Sequence, residues 1–440
     1  MSTAAARGFG WIAIVRLGLV QAAIGAIVML ATSLLNRVMV VEYALAAAIP
    51  AGLVAWHYAV QLARPLWGHG SDRGRKRTPW IGGGMAVLAG GALLAVRATT
   101  LMPGSALVGG VLAVAAFAMI GFGVGAAGTS MLALLASGVR PERRAAAAAV
   151  TWTMMIAGIV IAAGVAGALL DPFSEARLTA VAGSIALAAL GVALIAIWRL
   201  EPTNPVDFSD KHSSDAPGFA EALREIMQET AARRFTVLIF VSMLAYSMQD
   251  LILEPFAGLV FGMTPGESTS LSGMQHGGVL IGMIVAGVGG SAFAGRLPTD
   301  LRLWIVAGCA GSGLALAGLA MAAIAGPGWP LTANVFALGL CNGVFAVSAI
   351  GAMMGLAGAG EKTREGVRMG VWGAAQAIAF GLGGLTGALG VDIARHLAGQ
   401  DGAAFQLIFA IEAFLFILAA VLAVQATIGA PNANRGVARA

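Results

Sequence analysis

Twelve apolar runs of about 20 residues fill most of this 440-residue chain and limit what it can fold into. They are centred near residues 26, 55, 88, 122, 158, 188, 246, 283, 314, 344, 379 and 415. Because hydrocarbon offers no partners to backbone N–H and C=O groups, such runs predict transmembrane α-helices. A mean hydropathy of +0.87 and a charged fraction of 11% agree, since soluble domains carry about 25% charged residues. The sequence therefore predicts an all-α membrane protein with twelve spans.

Basic residues are distributed unequally between the two sets of loops that connect these spans. Of the 26 Lys and Arg residues, 22 fall in one set, and the other set holds Arg37, Arg97, Arg177 and Arg395. Short loops rich in Lys and Arg stay on the cytoplasmic side during insertion. Both termini are therefore predicted to be cytoplasmic, and the pI of about 9.8 indicates membrane orientation rather than nucleic-acid binding.

One long polar stretch, residues 199–234, divides the spans into two sets of six. We predict an N-terminal six-helix bundle at 1–200 and a C-terminal bundle at 234–440. The stretch between them, 201–233, is predicted to be a cytoplasmic linker that contains an amphipathic helix.

The two halves are similar to each other in sequence. The segment from Arg143 to Asp171 corresponds to that from Arg364 to Asp392, because both ends are displaced by 221 positions (364 − 143 and 392 − 171). Parallel six-helix repeats resemble the plan of major facilitator transporters. We therefore expect the major facilitator fold, with two pseudo-symmetric halves.

The loop after helix two resembles the cytoplasmic gate motif of that superfamily, although it is one residue shorter. Arginines in the loop after helix four are the usual companions of this motif. The residues concerned are Gly68, Asp72, Arg73, Arg75, Arg143 and Arg144. We predict that they hold the cytoplasmic face closed through charge pairing and helix-end contacts, and that they do not bind ligand.

Few ionisable residues lie at membrane depth, where such residues are functional candidates by default. His57 lies near the middle of helix two, beside Tyr58 and one turn before Gln61. This arrangement makes His57, with Tyr58 and Gln61, a candidate contact for a ligand or a metal. The alternative is a packing histidine inside the helix bundle.

Further candidates lie on helices one, seven and eight: Glu42, Asp250, Glu254 and His276. Glu42 is expected to end helix one, and helix seven is expected to end in a similar motif at Pro255. The three carboxylates would then lie near the non-cytoplasmic surface, where Arg37 or water could satisfy them. His276 is expected near the start of helix eight and half solvated, and Glu412 is expected to be protonated or paired across helices.

The central cavity of this fold is lined by helices one, four, seven and ten, and these predict an apolar interior. Helix four, residues 107–137, has no charged residue, and helix ten offers only uncharged polar groups such as Asn334 and Asn342. A transporter of a charged metabolite would usually place Arg or Lys there. The interior is suited instead to a large hydrophobic ligand or to close helix packing.

Three motifs resemble those of the PucC-like proteins, also called the bacteriochlorophyll delivery family. The first runs from Leu35 to Glu42 at the end of helix one, and the second from Gln249 to Phe256 in helix seven. The third is the stretch from Arg64 to Asp72, followed by Arg77-Thr78-Pro79-Trp80. The chain departs from the family after Phe256, where Ala-Gly-Leu replaces a more usual pair of glycines and an acidic residue.

This resemblance implies a function in purple-bacterial photosynthesis. The family assists the assembly of light-harvesting or reaction-centre complexes in the inner membrane, with bacteriochlorophyll or a late precursor as ligand. The implied partners are membrane lipid and either antenna polypeptides or pigment-synthesis enzymes. His57 is then a candidate axial ligand to chlorin magnesium, although a backbone carbonyl or water could take that position.

Two function hypotheses follow. The first is a non-enzymatic assembly factor that binds or delivers bacteriochlorophyll. The second is a proton-coupled secondary transporter of a small solute, which needs a titratable carboxylate at the cavity, either Asp250 or Glu254. Catalysis is not indicated, because the sequence shows no nucleophile–base set, metal cluster or nucleotide loop.

Overall fold

The computed structural model describes residues 9–63, 76–139, 141–201, 224, 228, 230–291, 301–358 and 365–426. Within these ranges the chain forms twelve long helices. They are α1 Trp11–Glu42, α2 Ala48–Gln61, α3 Thr78–Leu101, α4 Ala106–Gly138, α5 Pro141–Leu169, α6 Glu175–Ile197, α7 Thr230–Phe261, α8 Pro265–Ser291, α9 Leu301–Ala325, α10 Leu331–Gly358, α11 Glu365–Ala398 and α12 Asp401–Ala426. Eleven are long and apolar enough to cross a membrane, and α2 is described over 14 residues. The prediction of an all-α membrane protein is confirmed.

The helices pack in two equivalent sets, α1 to α6 (the N-terminal half) and α7 to α12 (the C-terminal half). Helix α1 packs on α5 and α3 on α4, and in the same way α7 packs on α11 and α9 on α10. Between the halves, α5 packs on α8 and α2 on α11. Each contact thus has a counterpart six helices further along, which is the predicted pseudo-symmetry.

Glycines allow some of these helices to approach closely. A Cβ atom added to Gly339 or Gly343 on α10 would clash with the backbone carbonyls of Gln275 and Val279 on α8. Small residues at such crossings let two backbones meet, which substitutes for the hydrophobic driving force that is missing in lipid. The α8–α10 crossing therefore depends on glycine at both positions.

Two aspartates link the halves at one end of the bundle. The Asp171 carboxylate, after α5, accepts hydrogen bonds from Thr264 Oγ1 at 2.7 Å and from the Gly266 N–H at 3.2 Å, where α8 begins. The Asp392 carboxylate, on α11, accepts from the Ala47 and Ala48 N–H groups at 3.0 and 2.8 Å, where α2 begins. The carboxylates satisfy N–H groups that a helix start leaves without intrahelical partners. The repeat-related residues Asp171 and Asp392 therefore make equivalent caps, each on a helix of the other half.

Helix α7 continues through Pro255 to Phe261, so the expected end at Pro255 is wrong. Proline has no N–H, so the carbonyl of Leu251, four residues earlier, loses its intrahelical partner. The side-chain Nδ2 of Asn36 on α1 donates to that carbonyl at 2.6 Å. A partner from a neighbouring helix thus allows the proline inside a membrane span.

Arg37 was expected in a non-cytoplasmic loop, and this placement is also wrong. It lies inside α1, with 1% of its surface exposed. Two π-helical segments, Leu30–Leu34 and Val38–Glu42, flank the short α-helical segment Leu35–Arg37. Such wide turns are frequent at functional sites and rotate the side chains beyond them. They place Asn36 and Arg37 against α7 and α8.

Several predictions concern residues outside the described ranges. Gly68, Asp72, Arg73 and Arg75 of the gate motif belong to them, as does most of the predicted linker, 201–233. Arg143 and Arg144 lie in the first turn of α5 rather than in a loop, and their side chains are not described. The domain boundaries and the cytoplasmic termini stay predictions.

Candidate functional site

Polar side chains from both halves meet around Arg37. Its Nε donates to Ser268 Oγ at 3.0 Å and its Nη2 to the Met263 carbonyl at 2.7 Å, both in the C-terminal half. Its Nη1 pairs with the Glu42 carboxylate at the end of α1. Arg37 is therefore the partner of the Glu42 carboxylate, as the sequence analysis allowed, and this gives Glu42 a structural role.

Glu254 lies next to this cluster and is 2% exposed. It accepts a hydrogen bond from Thr269 Oγ1 at 3.3 Å, and the hydroxyls of Ser33 and Ser272 lie beside it. The Arg37 guanidinium interacts with it electrostatically. Glu254 is thus a member of the contact between the halves and is not solvated at a surface.

Tyr43 closes the same side of the molecule, just beyond α1. Its hydroxyl donates to Glu175 Oε1 at 3.1 Å. Burial raises the pKa of the Tyr43 phenol above its ordinary value, and the Glu175 carboxylate raises it further. The phenol therefore stays protonated and remains a donor.

His57 lies where the sequence placed it, on α2, and is 3% exposed. Its Nε2 lies 2.8 Å from Gln61 Nε2, and its backbone carbonyl faces Gly121 on α4 so closely that a Cβ there would clash. The ring also contacts Tyr58 edge-on, with 4.9 Å between centroids. His57 is thus packed inside the helix bundle, and its assignment as a ligand to chlorin magnesium stays a prediction.

Tyr58 belongs to an aromatic row that joins the halves. Its ring centroid lies 6.0 Å from that of Phe380 on α11, and Phe380 lies 5.7 Å from Tyr246 on α7. Asp250 is one helical turn beyond Tyr246 and interacts with it electrostatically. The row therefore leads from the His57 region to the Asp250 carboxylate.

His276 lies deeper than expected, because α8 begins at Pro265, eleven residues before it. At 1.5 Å per residue this depth is about 16 Å. His276 Nδ1 lies 2.9 Å from the backbone carbonyl of Ser272. Since a carbonyl oxygen only accepts, Nδ1 carries the proton and Nε2 keeps its lone pair. Such a hydrogen bond fixes the tautomer of many metal-binding histidines.

The position of His276 on α8 points it to the interior. The exposed, lipid-facing residues of α8 are Met274, Ile281, Ile284, Val285 and Val288. On a helical wheel His276 lies on the opposite side, with the buried residues Ser272, Val279 and Met283. His276 keeps some accessible surface at this depth. Its neutral imidazole would supply a nitrogen ligand to a metal on this side of the helix.

Apolar side chains continue from His276 towards α5 and α10. Val279 and Met283 form a buried cluster with Ile156 of α5, against which Trp152 and Met155 pack. The polar residues of α10 turn away from this cluster: Asn342 accepts a hydrogen bond from Ser312 on α9 at 2.7 Å. The surroundings of His276 thus suit an apolar ring system.

The sequence reasoning missed Asn36, Arg37 and Gln249 as members of the site. Asn36 and Arg37 carried a signal, since five residues separate Arg37 from Glu42, the spacing of a π turn. Gln249 carried no such signal; it is fully buried in α7, and neither polar atom of its side chain has a partner among the described residues.

Comparisons with known proteins give the chain relatives along most of its length. A family model described as PUCC protein matches residues 34–430. The chain is 51% identical over 436 residues to the bacteriochlorophyll synthase 44.5 kDa chain of Rhodobacter capsulatus, covering 98% of this chain and 97% of that protein. It is 30% identical over 429 residues to protein PucC of Rhodobacter capsulatus, covering 93% and 91% respectively.

A solved structure supports the fold. The crystal structure of a D-xylose-proton symporter matches with a TM-score of 0.70 and 13% identity, covering 94% of this chain and 97% of that one. At this identity the likeness concerns the fold alone. The predicted major facilitator fold is confirmed, and the protein is a multi-pass membrane protein.

Proposed function

The chain belongs to the PUCC protein family, and we propose that it is a pigment-handling assembly factor of a photosynthetic inner membrane. In this proposal it holds bacteriochlorophyll, or a late precursor, in the interior between its two halves. One relative supports the pigment class, because it is named as a chain of bacteriochlorophyll synthase. The role is accessory, in that the protein holds pigment and passes it to synthesis enzymes or antenna polypeptides.

The observation that carries this proposal is the orientation of His276. Its Nδ1–H is bonded to the Ser272 carbonyl, so Nε2 of the neutral ring keeps its lone pair, and His276 lies on the interior side of α8. A bound chlorin would supply a magnesium ion, which takes nitrogen ligands of this kind. His276 would hold that ion, and the carbonyl of Ser272 holds the imidazole ring in position.

The apolar cluster beside His276 supports the same ligand class. Trp152 and Met155 on α5 and Met283 on α8 present aromatic and polarisable surface to a flat macrocycle. These residues exclude water from the ring and leave His276 as its polar contact.

The test is pigment retention by the full-length protein, purified in mild detergent from a bacteriochlorophyll-producing host. We expect wild type to elute with a near-infrared absorption band at fixed stoichiometry. His276→Ala should reduce the bound pigment at least about tenfold, the scale seen when a metal site loses the groups that hold it. His57→Ala is the control, a buried histidine on α2 that should keep its pigment.

Circular dichroism and gel filtration would establish that each variant is folded. A folded but colourless wild-type protein contradicts pigment holding. If His57→Ala loses pigment and His276→Ala keeps it, the assignment of the ligand to His276 is wrong.

A further inference from the structure

The α7–α12 contact contains a second group of polar residues, and the aromatic packing of these helices fixes which faces meet. The Phe256 ring on α7 lies 5.3 Å from Phe405 and 5.0 Å from Phe409 on α12, between centroids. Gln249 precedes Phe256 by seven residues, which is two turns, and Glu412 follows Phe409 by three. Both therefore lie on the faces that the two helices turn towards each other.

Asp250 and Glu412 lie at the same depth. Asp250 is eleven residues before the end of α7 at Phe261, and Glu412 is eleven residues after the start of α12 at Asp401. Both carboxyl groups are thus about 16 Å from the same end of the bundle, near the middle of the membrane. They also interact electrostatically across the α7–α12 contact.

These groups lack the partners that buried polar groups require. Glu412 has no exposed surface, and neither of its carboxyl oxygens has a hydrogen-bond partner among the described residues. The same holds for both polar atoms of Gln249, and for one oxygen of Asp250. An ionised carboxylate in an apolar interior costs several kcal/mol or more unless it is paired or neutralised.

Positive side chains nearby do not supply this pairing within the described helices. Arg37 is the described cation nearest to this depth on α1, and it is committed to Glu42, Ser268 and Met263 while acting on Glu254. Arg395 is bound to Asp401 at 2.6 Å, at the end of the bundle. The other described titratable or charged groups on α7, α12 and the helices packed against them are Arg16, His57, Tyr58, Arg233, Arg234, Tyr246, Glu267, His276, Arg302, Cys309, Cys341, Asp392 and His396.

We propose that Gln249, Asp250 and Glu412 form a proton-binding site. In this site Glu412 holds a proton that reaches it from the interior through Asp250. Asp250 retains accessible surface and lies beside Tyr246, whereas Glu412 is sealed. In the exchange, Asp250 takes up a proton from interior water and passes it to the Glu412 carboxylate when a side-chain rotation brings the two groups within hydrogen-bond distance, which leaves Asp250 ionised again. The Gln249 amide, whose two polar atoms also have no partner among the described residues, lies on the same contact face.

A proton suits this site better than a metal cation does. A hard cation needs about six oxygen ligands and room for them. Both Glu412 oxygens are closed off, and Phe409, Ala413 and Phe416 of the surrounding α12 are buried. A proton needs no coordination shell, and its binding neutralises the carboxylate charge that is unfavourable in a buried site.

Infrared spectroscopy of the purified full-length protein tests the site without reference to pigment. We expect a carboxylic acid C=O band at neutral pH, with an intensity that corresponds to about one protonated carboxyl group per chain. This band should move to lower frequency in D₂O. Glu412→Gln should remove the band, and Asp250→Asn should slow its shift in D₂O at least about tenfold. Glu267→Gln, which changes an exposed carboxylate on α8, should leave both unchanged.

The outcomes separate this inference from the pigment proposal. A wild-type spectrum without an acid band at neutral pH overturns it, and so does a band that survives in folded Glu412→Gln. Loss of the band on adding NaCl, but not choline chloride, would show that the site takes sodium instead. Pigment retention by His276 and its variants is independent of each of these results.

Discussion

At the scale of single residues, Pro255 in the C-terminal half explains why Asn36, on α1 of the N-terminal half, is buried. Without the Pro255 N–H, the Leu251 carbonyl would be unpaired inside a membrane span. The Asn36 amide donates to it from α1 at 2.6 Å. The two residues are 219 positions apart in the sequence. Asn36 makes Pro255 tolerable inside the helix, and the carbonyl that Pro255 leaves unpaired gives the buried Asn36 amide its partner.

This coupling predicts a non-additive pair of substitutions. Asn36→Leu should destabilise the protein by about 1–3 kcal/mol, because it leaves the Leu251 carbonyl unsatisfied. Pro255→Ala restores an N–H for that carbonyl, so the double variant should recover much of this loss. Thermal unfolding in detergent measures all three. Additive losses would mean that the Asn36–Leu251 bond contributes nothing to stability.

Arg37 gives the second prediction at this scale. Arg37→Met leaves Glu42 and Glu254 without their cation and should cost about 3–5 kcal/mol, as expected when one partner of a buried pair is removed. Arg97→Met is the control, since Arg97 on α3 is exposed and should change stability by less than about 0.5 kcal/mol. Equal effects of the two substitutions, again by thermal unfolding, would contradict a role for Arg37 in joining the halves.

At the scale of helices, Asp171 and Asp392 differ from a third cap, made by Glu201. The Glu201 carboxylate accepts from the Arg77 and Thr78 N–H groups at 3.0 and 2.8 Å, at the start of α3. That contact joins α6 to α3 within one half, whereas the aspartates join helices of different halves. The three carboxylates thus make similar hydrogen bonds, but only those of the two aspartates must break when the halves separate.

We expect the aspartates, but not Glu201, to control separation of the halves. Each alanine substitution should cost about 1 kcal/mol of stability, as for other helix caps. Only the double variant Asp171→Ala, Asp392→Ala should also speed maleimide labelling of a Ser33→Cys reporter, which is buried in the contact between the halves. The background would carry Cys309→Ala and Cys341→Ala. Faster labelling in Glu201→Ala would show that general loosening, not the cross-half caps, opens this face.

At the scale of the whole molecule, the twelve helices and their two-fold repetition could be predicted from the sequence. Hydrocarbon leaves helices as the solution for long apolar runs, and the displacement of 221 positions related Asp171 to Asp392 before their equivalent contacts were known. The polar interior could not be predicted in the same way. Arg37 and the polar start of α8 look like loop residues, because a sequence does not show that each satisfies the other.

The depth of the candidate residues depended on helix ends that the sequence hides. Helix α7 passes Pro255 only because Asn36 replaces the missing bond. The first turns of α8 are polar because Ser268 and Thr269 face Arg37 and Glu254. Asp250 and His276 were therefore placed too close to the surface.

The orientation of the molecule in the membrane gives the last prediction. The loop that joins α11 to α12, at Gln400, should be non-cytoplasmic, and both termini should be cytoplasmic. In the variant without native cysteines, an impermeant maleimide added to intact cells should label Gln400→Cys but not Lys76→Cys. Labelling of Lys76→Cys alone would reverse the assigned topology.

The exchange of caps between Asp171 and Asp392 also bears on how such a chain could arise. Each half lends a carboxylate to the other and receives one in return at the equivalent helix start. Two identical subunits around a two-fold axis make contacts of this reciprocal kind. A six-helix ancestor carrying one such aspartate could have closed its own interface as a homodimer. Gene duplication and fusion would then have preserved the bonds while freeing each copy to diverge.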